Sequence, residues 1–171
     1  MNELERLITV YRARASSSAK SKLDVLMDVE RIRDAGVVPF LLEVLGDRHE
    51  FDDVRIYVVK RLRRRNGFPV PVDRSLVAKA VGKVLADESN VQLRLQAALT
   101  LGHFTEIDGV LSWLSAVSLA RDESIDLRYA VFTSIEGAGP TPESIAVMRQ
   151  ITSDETLGDA ARSALSAWHV A

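Results

Sequence analysis

The sequence predicts an all-α fold in which about five helical hairpins stack as an α-solenoid. Three observations predict this fold. A basic residue recurs at intervals of 33 to 39 positions, and the apolar residues around it have helical spacing. No run alternates β-branched with polar residues, so strands are not expected. The basic residues that mark the repeat, called the marker residues below, are Lys22, Arg55, Arg94, Arg128 and Arg162.

The apolar positions around the marker residues agree from one repeat to the next. They lie one position before the marker and three and seven positions after it, which places them on one face of a helix. This face must be buried against a neighbouring helix. Its members are Val25, Val29, Val54, Val58, Leu62, Leu93, Ala97, Leu101, Leu127, Val131, Ile135, Ala161 and Leu165.

An aspartate recurs in the turn before each second helix, at Asp47, Asp87, Asp122 and Asp154. Aspartate at a turn accepts hydrogen bonds from free backbone N–H groups and suits the positive end of a helix dipole. We interpret the marker residues as structural, each pairing with such an aspartate or with a neighbouring one along the stack. A functional row of arginines is the alternative.

The first two repeats occupy residues 2–34 and 36–65. Helices are predicted over 2–14 and 19–34, with the serines at 16–18 offering an N-cap to the second of them. The next pair is predicted over 37–46 and 53–65, where Asn66-Gly67 ends the helix. Residues 68–72 contain two prolines and are expected to be non-helical.

The remaining three repeats occupy residues 73–103, 106–136 and 142–171, and the whole chain is expected to form one domain over 1–171. The predicted pairs are 73–86 with 90–102, 106–121 with 125–136, and 142–152 with 157–170. Pro142 suits the first turn of its helix. The last segment is short and apolar, so we expect its end to be covered by a partner, by a second copy or by further sequence.

Two segments carry a family resemblance: VGKVLADESNVQLRLQAALTLGHF and FLLEVLGDRHEFDDVRIYVVKRL. They resemble the HEAT repeat family, and the spacing of 34 is similar to the compact HEAT-like repeats named after phycobilisome lyases. The resemblance runs from about Lys20 to the end and implies a right-handed solenoid. It departs from the family in two ways. The usual proline of the first helix is present only as Pro39, and Ser166 and His169 stand where apolar residues are expected.

The resemblance also implies that the second helices line the concave side of the array. Residues one, two and five positions after each marker are expected to point away from the buried face. They are more apolar than a solvated helix face should be, which predicts a groove for a peptide or helix of a protein partner. The alternative is that they belong to the core. The predicted partner-binding residues are Met27, Ile56, Tyr57, Lys60, Leu95, Gln96, Leu99 and Tyr129.

A basic run ends the fourth predicted helix, and two interpretations of it remain open. The run can contact phosphate or an acidic partner. It can equally stabilise a helix C-terminus, where cations meet the dipole and the last carbonyls. The residues of this basic patch are Lys60, Arg61, Arg63, Arg64 and Arg65.

Composition and motifs narrow the possible functions. The net charge of −2 gives no overall basic field for nucleic acid, and the absence of cysteine excludes disulfides and thiolate metal sites. No Gly-x-Ser-x-Gly, Gly-rich phosphate loop or metal-ligand spacing is present, so we expect no enzyme, no cofactor and no metal site. The start of the chain lacks a signal peptide pattern and no apolar run is long enough to span a membrane. We therefore expect a cytoplasmic protein without a membrane partner.

We therefore predict a non-enzymatic scaffold or adaptor that binds a protein partner on its second-helix surface. One alternative is a nucleic-acid-binding protein, similar to DNA-repair HEAT proteins, that uses the basic run at 60–65. A second alternative is an accessory subunit of a lyase-like modification system. Homo-oligomers through the C-terminal end are also compatible with the sequence.

Overall fold

Ten α-helices account for the regular structure of the protein, as seen in a computed structural model that describes residues 1–14, 18–64 and 67–170. These residues contain no strand, which confirms the all-α prediction. None of the helices in the described ranges is both long and apolar enough to cross a membrane. The helices are α1 (Glu3–Ala13), α2 (Ala19–Val29), α3 (Val37–Gly46), α4 (Asp52–Leu62), α5 (Arg74–Asp87), α6 (Val91–Leu101), α7 (Val110–Ser118), α8 (Ile125–Gly137), α9 (Pro142–Ile151) and α10 (Gly158–Ala167).

Several helices begin at polar side chains that accept a backbone N–H of the first turn. Asn2 forms a capping box with Glu5 at the start of α1. Ser18, one of the predicted N-cap serines, accepts from Ser21 N at the start of α2. Ser16 and Ser17 lie outside the described residues. Pro142 occupies the first turn of α9, as predicted.

Two helices differ most from their predicted bounds. The long helix predicted over 106–121 is wrong: α7 covers Val110–Ser118, because Gly109 before it has a left-handed backbone with φ of 93°. The helix predicted over 19–34 ends at Val29. Asp34 Oδ1 accepts a hydrogen bond from Gly36 N at 2.7 Å, which forms a turn ahead of α3.

The chain divides into two compact units, Met1–Ala80 and Val81–Ala171, and the division falls inside α5. In the first unit α1 packs on α2, α3 packs on α4, and the second helices α2 and α4 pack on each other. In the second unit the paired helices are α7 with α8 and α9 with α10, while α6 packs on α8 and α7 on α9. Each unit therefore contains helical hairpins lying side by side. The single domain over 1–171 stays a prediction.

The predicted apolar face is the core of both units. All of the thirteen positions that precede or follow the marker residues are buried, and most are fully inaccessible to solvent. Complete burial of a side chain such as valine or leucine contributes about 1.5–3 kcal/mol. The spacing of −1, +3 and +7 around the marker therefore defines which side of each second helix holds the hairpins together.

The marker arginines bind the C-terminal end of the first helix in their own hairpin. Each donates a hydrogen bond to one of the last carbonyls, which have no partner within the helix. A positive charge also suits this end of the helix dipole. The pairs are Arg55 Nε to Leu45 O at 2.8 Å, Arg94 Nε to Leu85 O at 2.8 Å, Arg128 Nε to Ser118 O at 3.1 Å and Arg162 Nη1 to Thr152 O at 2.5 Å.

Three marker residues also reach a carboxylate in the turn of the following hairpin. Lys22 Nζ lies 2.8 Å from Glu50 Oε1, and Arg94 binds both carboxylate oxygens of Glu123 at 2.7 and 2.8 Å. Arg128 Nη2 lies 2.5 Å from Asp154 Oδ2. These contacts agree with the structural interpretation, in which the marker pairs with an acidic residue along the stack.

The identity of the paired carboxylates differs from the prediction at two turns. Asp154 is a partner as expected, but Glu50 and Glu123 take the places predicted for Asp47 and Asp122. Asp47 is exposed, and its Oδ1 accepts a hydrogen bond from His49 N at 2.9 Å. Its short side chain is thus used within its own turn, and the longer glutamate reaches the marker of the preceding hairpin.

The contact between Arg128 and Asp154 predicts a pH-dependent loss of stability in the variant Asp154→Asn. The Arg128 guanidinium and the N–H groups of Leu157 and Thr156 lower the pKa of Asp154 from 3.8 to about 2. A carboxyl with a lowered pKa stabilises the fold fully above its unfolded pKa, and this contribution disappears as pH falls from about 4 towards 2. Urea unfolding at neutral pH should show a loss of about 2 kcal/mol, because Arg128 loses its buried counter-charge.

Asp159→Asn is the matched control for this prediction. Asp159 also pairs with a marker residue, Arg162, but its side chain is 97% exposed where that of Asp154 is 10% exposed. Exposed ion pairs contribute little to stability, so this variant should unfold like the wild type. An equal loss in both variants, or a loss in Asp154→Asn that persists unchanged at pH 2, would contradict the assignment.

Trp113 packs on a glycine of a neighbouring helix in the second unit. A Cβ at Gly82 in α5 would lie 2.7 Å from Cε3 of the Trp113 ring, closer than carbon atoms approach in folded proteins. Trp113 itself is half-buried. The indole therefore lies directly against the α5 backbone, and the sequence at position 82 must leave room for it.

We expect Gly82→Ala to destabilise the protein by about 1–3 kcal/mol, because the rigid indole must shift to admit the methyl group. Gly137→Ala is the control, since a Cβ at Gly137 would meet nothing within 4 Å. That change should be neutral or stabilising by up to about 1 kcal/mol, through the greater helix propensity of alanine. Thermal unfolding of both variants measures the difference, and similar melting temperatures would argue against the close packing of Trp113 on α5.

Candidate partner-binding site between α2 and α4

A surface pocket of about 440 Å³ lies between the second helices of the first unit. Leu23 of α2 forms one wall. The other lining residues belong to α4 and the turn that follows it: Asp53, Ile56, Tyr57, Lys60, Arg61 and Arg64. Three of the predicted partner-binding residues, Ile56, Tyr57 and Lys60, therefore line one pocket.

Helical spacing explains why these residues meet. Asp53, Ile56, Tyr57 and Lys60 have helical spacing, so they share one face of α4, and Arg64 follows the end of the helix. The opposite face of α4 carries Val54, Val58 and Leu62 and is buried in the core. The pocket face is therefore the side of α4 that the apolar core leaves available.

The predicted partner-binding residues of this unit are not core residues. Ile56 and Tyr57 are half-buried, and Lys60 is exposed. Met27 is 41% exposed and lies one helical turn after Leu23, on the same side of α2. An exposed methionine beside a half-buried leucine, isoleucine and tyrosine gives this surface an apolar part that a partner can cover.

A carboxylate fixes two of the lining side chains. Tyr57 Oη donates a hydrogen bond to Glu30 Oε2 at 2.7 Å, and Arg61 Nε lies 3.1 Å from the same oxygen. Burial, followed by the hydrogen bond to Glu30, raises the pKa of Tyr57 to about 12. The phenol is therefore protonated at physiological pH, and its ring is held at the pocket wall.

Arg61 is the inward-facing member of the basic run. It is only 7% exposed, its guanidinium carbon lies 4.3 Å from the centre of the Phe68 ring, and Nη2 donates to Gly67 O. This arrangement combines an ion pair with Glu30 and a cation–π contact. Arg61 thus joins α4 to α2 and to the segment after α4.

The basic run does not form one surface patch. Successive residues of a helix are rotated by about 100°, so neighbours in the run face different surroundings. Lys60 and Arg64 are exposed and line the pocket. Arg63 is half-buried, and burial lowers its pKa. Arg65 lies outside the described residues.

The charge of the pocket is positive. Among the described residues, no carboxylate pairs with Lys60 or Arg64, and Asp53 is the only acidic side chain that lines the pocket. Glu30 is nearby, but its Oε2 already accepts a hydrogen bond from Tyr57 and forms an ion pair with Arg61. The site therefore combines an apolar wall with two exposed cations, Lys60 at the end of α4 and Arg64 just after it.

Glu30 is the residue of this site that the repeat pattern misses. It falls outside the positions one, two and five after the marker, on which the prediction of the groove depends. Its spacing of three from Met27 and seven from Leu23 places it on the same stripe of α2. That stripe is the sequence signal that identifies Glu30.

The other predicted partner-binding residues belong to the second unit. Leu95, Gln96 and Leu99 on α6 are half-buried, and Tyr129 on α8 is 45% exposed. Helices α6 and α8 pack on each other, as α2 and α4 do in the first unit. These four residues thus stand one, two or five positions after their markers, as the partner-binding residues of the first unit do, and they are half-buried or exposed like those residues.

A second pocket of about 240 Å³ borders a buried polar cluster in the first unit. Glu50 accepts from Lys22 Nζ at 2.8 and 2.9 Å, from Tyr11 Oη and from Phe51 N. Burial and the hydrogen bond to Glu50 raise the pKa of Tyr11. Both oxygens of Glu50 are occupied within the fold, so this cluster stabilises the packing of the first two hairpins.

No protein-family model matches the chain, and no curated protein matches it. The residues themselves define an all-α chain with a shared buried face on its second helices and a recurring contact of its four marker arginines.

Proposed function

We propose that this chain is a non-enzymatic binding module, a right-handed α-solenoid of about five HEAT-like hairpins that holds a protein partner on its second-helix surface. The HEAT-like arrangement is supported within each unit by the side-by-side packing of second helices and by the marker contacts between successive hairpins. The observation that carries the function is the pocket between α2 and α4, lined by the residues that the repeat pattern predicts to face outward.

Shape and apolar anchors provide the mechanism. A side chain of the partner enters the pocket and contacts Leu23, Ile56 and the ring of Tyr57, while Lys60 and Arg64 orient it. Central, well-packed anchors of this kind supply most of the affinity of protein interfaces. The exposed methionine Met27 extends the contact along α2, and the flexible thioether adapts to different partner surfaces.

The nucleic-acid alternative has weaker support. Phosphate binding needs several accessible cations along a surface. Arg61 is occupied by Glu30 and Phe68, and Arg63 is half-buried. No observation favours the accessory subunit of a modification system over a general binding module.

The proposed function predicts that Met27→Asp abolishes partner capture while the fold is retained. Met27 is exposed, so the aspartate remains in water in the free protein, and a charge at this position is buried only when a partner covers it. The measurement is affinity capture from an extract of the source cells, with quantitative comparison of the proteins retained by the variant and by the wild type. The amount of the partner captured by the variant should fall by at least about tenfold, which corresponds to a loss of about 1.4 kcal/mol in binding free energy.

Leu76→Asp is the matched control. Leu76 in α5 is exposed to a similar extent, 47% against 41% for Met27, and lies outside the second helices. The control should retain the partner. Equal capture by both variants and the wild type would count against a second-helix binding surface, as would a Met27→Asp protein that no longer unfolds cooperatively.

A further inference from the structure

We propose that the occupant of the α2–α4 pocket is an acidic segment of another protein, in which two carboxylates lie on one side of a large apolar residue. This inference depends on the proposed function and adds the chemistry of the partner. It is based on charge complementarity between that segment and the two accessible cations of the pocket.

The cations are arranged to receive a pair of carboxylates. Lys60 lies in the last turn of α4, Arg64 follows the end of that helix, and both side chains line the same pocket. Like charges that border one pocket repel each other. None of the described carboxylates pairs with either side chain. Two acidic side chains of a partner would therefore relieve this repulsion and form ion pairs.

The acidic groups near the pocket, Glu30 and Asp53, do not neutralise Lys60 and Arg64. Glu30 is bound by Tyr57 and Arg61, and it offsets the charge of the buried Arg61. Asp53 lies at the other end of the stripe, two helical turns before Lys60, and contributes one negative charge. The end of the pocket at Lys60 and Arg64 thus stays positive, and a segment with acidic residues at one end fits it in one direction.

The apolar wall distinguishes a protein segment from a nucleic acid. Leu23 and Ile56 present aliphatic surface beside the Tyr57 ring, and a leucine or an aromatic side chain buries that surface on binding. A nucleic-acid site needs cations that follow the phosphate backbone, and among the described residues only Lys60 and Arg64 line this pocket as accessible cations. The volume of about 440 Å³ accepts one large side chain with its neighbouring backbone.

The test is a selection of peptides from a random display library against the full chain. The enriched peptides should carry aspartate or glutamate beside one leucine, isoleucine or aromatic residue. The double variant Lys60→Glu/Arg64→Glu should weaken a selected peptide by at least about tenfold in fluorescence anisotropy, and this difference should shrink in high salt. A version of the peptide with lysine in place of its acidic residues should bind the double variant better than the wild type.

Arg6→Glu/Arg48→Glu is the control of equal net charge. Both residues are exposed and neither lines the pocket. This variant should bind the selected peptides like the wild type. Circular dichroism and thermal unfolding of both double variants check that each is folded before binding is compared.

Several results would overturn the proposal. One is a selection that enriches no peptides, or only basic or uncharged peptides. Another is a selected peptide that binds Lys60→Glu/Arg64→Glu and Arg6→Glu/Arg48→Glu with the same affinity. If the chain binds duplex DNA tightly and in a salt-dependent way, and Lys60→Glu/Arg64→Glu abolishes this binding, the two cations bind phosphate instead. Self-association of the chain that the same variant abolishes would assign them to a second copy.

The two proposals fail separately. If Met27→Asp still removes a cellular partner but the selected peptides are not acidic, the α2–α4 surface binds protein and only the chemistry of the occupant is wrong. If neither Met27→Asp nor Lys60→Glu/Arg64→Glu changes any binding, the surface itself is not the site.

Discussion

The contact that joins successive repeats is the two-sided bond of a marker arginine, seen at Arg94 and Arg128. On one side its guanidinium donates to the last carbonyls of the first helix in its own hairpin, as Arg94 does to Leu85. On the other side it binds a carboxylate from the next turn, as Arg94 does to Glu123. Arginine suits this position because its planar fork presents several donors in fixed directions. One side chain thus closes a hairpin and joins it to the following one.

The first repeat shows what changes when lysine replaces arginine. Lys22 has a single charged nitrogen, and both of its hydrogen bonds go to Glu50. The protein surrounds this pair with aromatic rings, since Lys22 Nζ lies 5.2 Å from the centre of Tyr11 and 5.4 Å from that of Phe51. A buried ion pair needs such additional contacts to offset its desolvation. The same position in the repeat is therefore stabilised by a different set of interactions.

Periodicity predicts the helices and their buried face well because both follow from the 3.6-residue turn of a helix. The buried face, and the exposure of Met27 and Tyr129, are fixed by spacing alone. Turn geometry is not: neither the choice of Glu50 over Asp47 nor the left-handed Gly109 that shortens α7 can be seen in a helical pattern. The inward position of Arg61 depends on Glu30, which is distant in sequence, and on Phe68 beyond the end of α4, and a run of basic residues reveals neither contact.

The hydrogen bond from Tyr57 to Glu30 has a consequence for the free energy of association. A tyrosine that rotated freely would lose rotamer entropy when a ligand immobilised it, at a cost of about 0.5–1.5 kcal/mol. Here the phenol is already hydrogen-bonded at 2.7 Å, so that loss has occurred during folding. Preorganisation of this kind leaves more of the contact energy available as affinity, and Tyr57→Phe would return the ring to a mobile state without changing its shape.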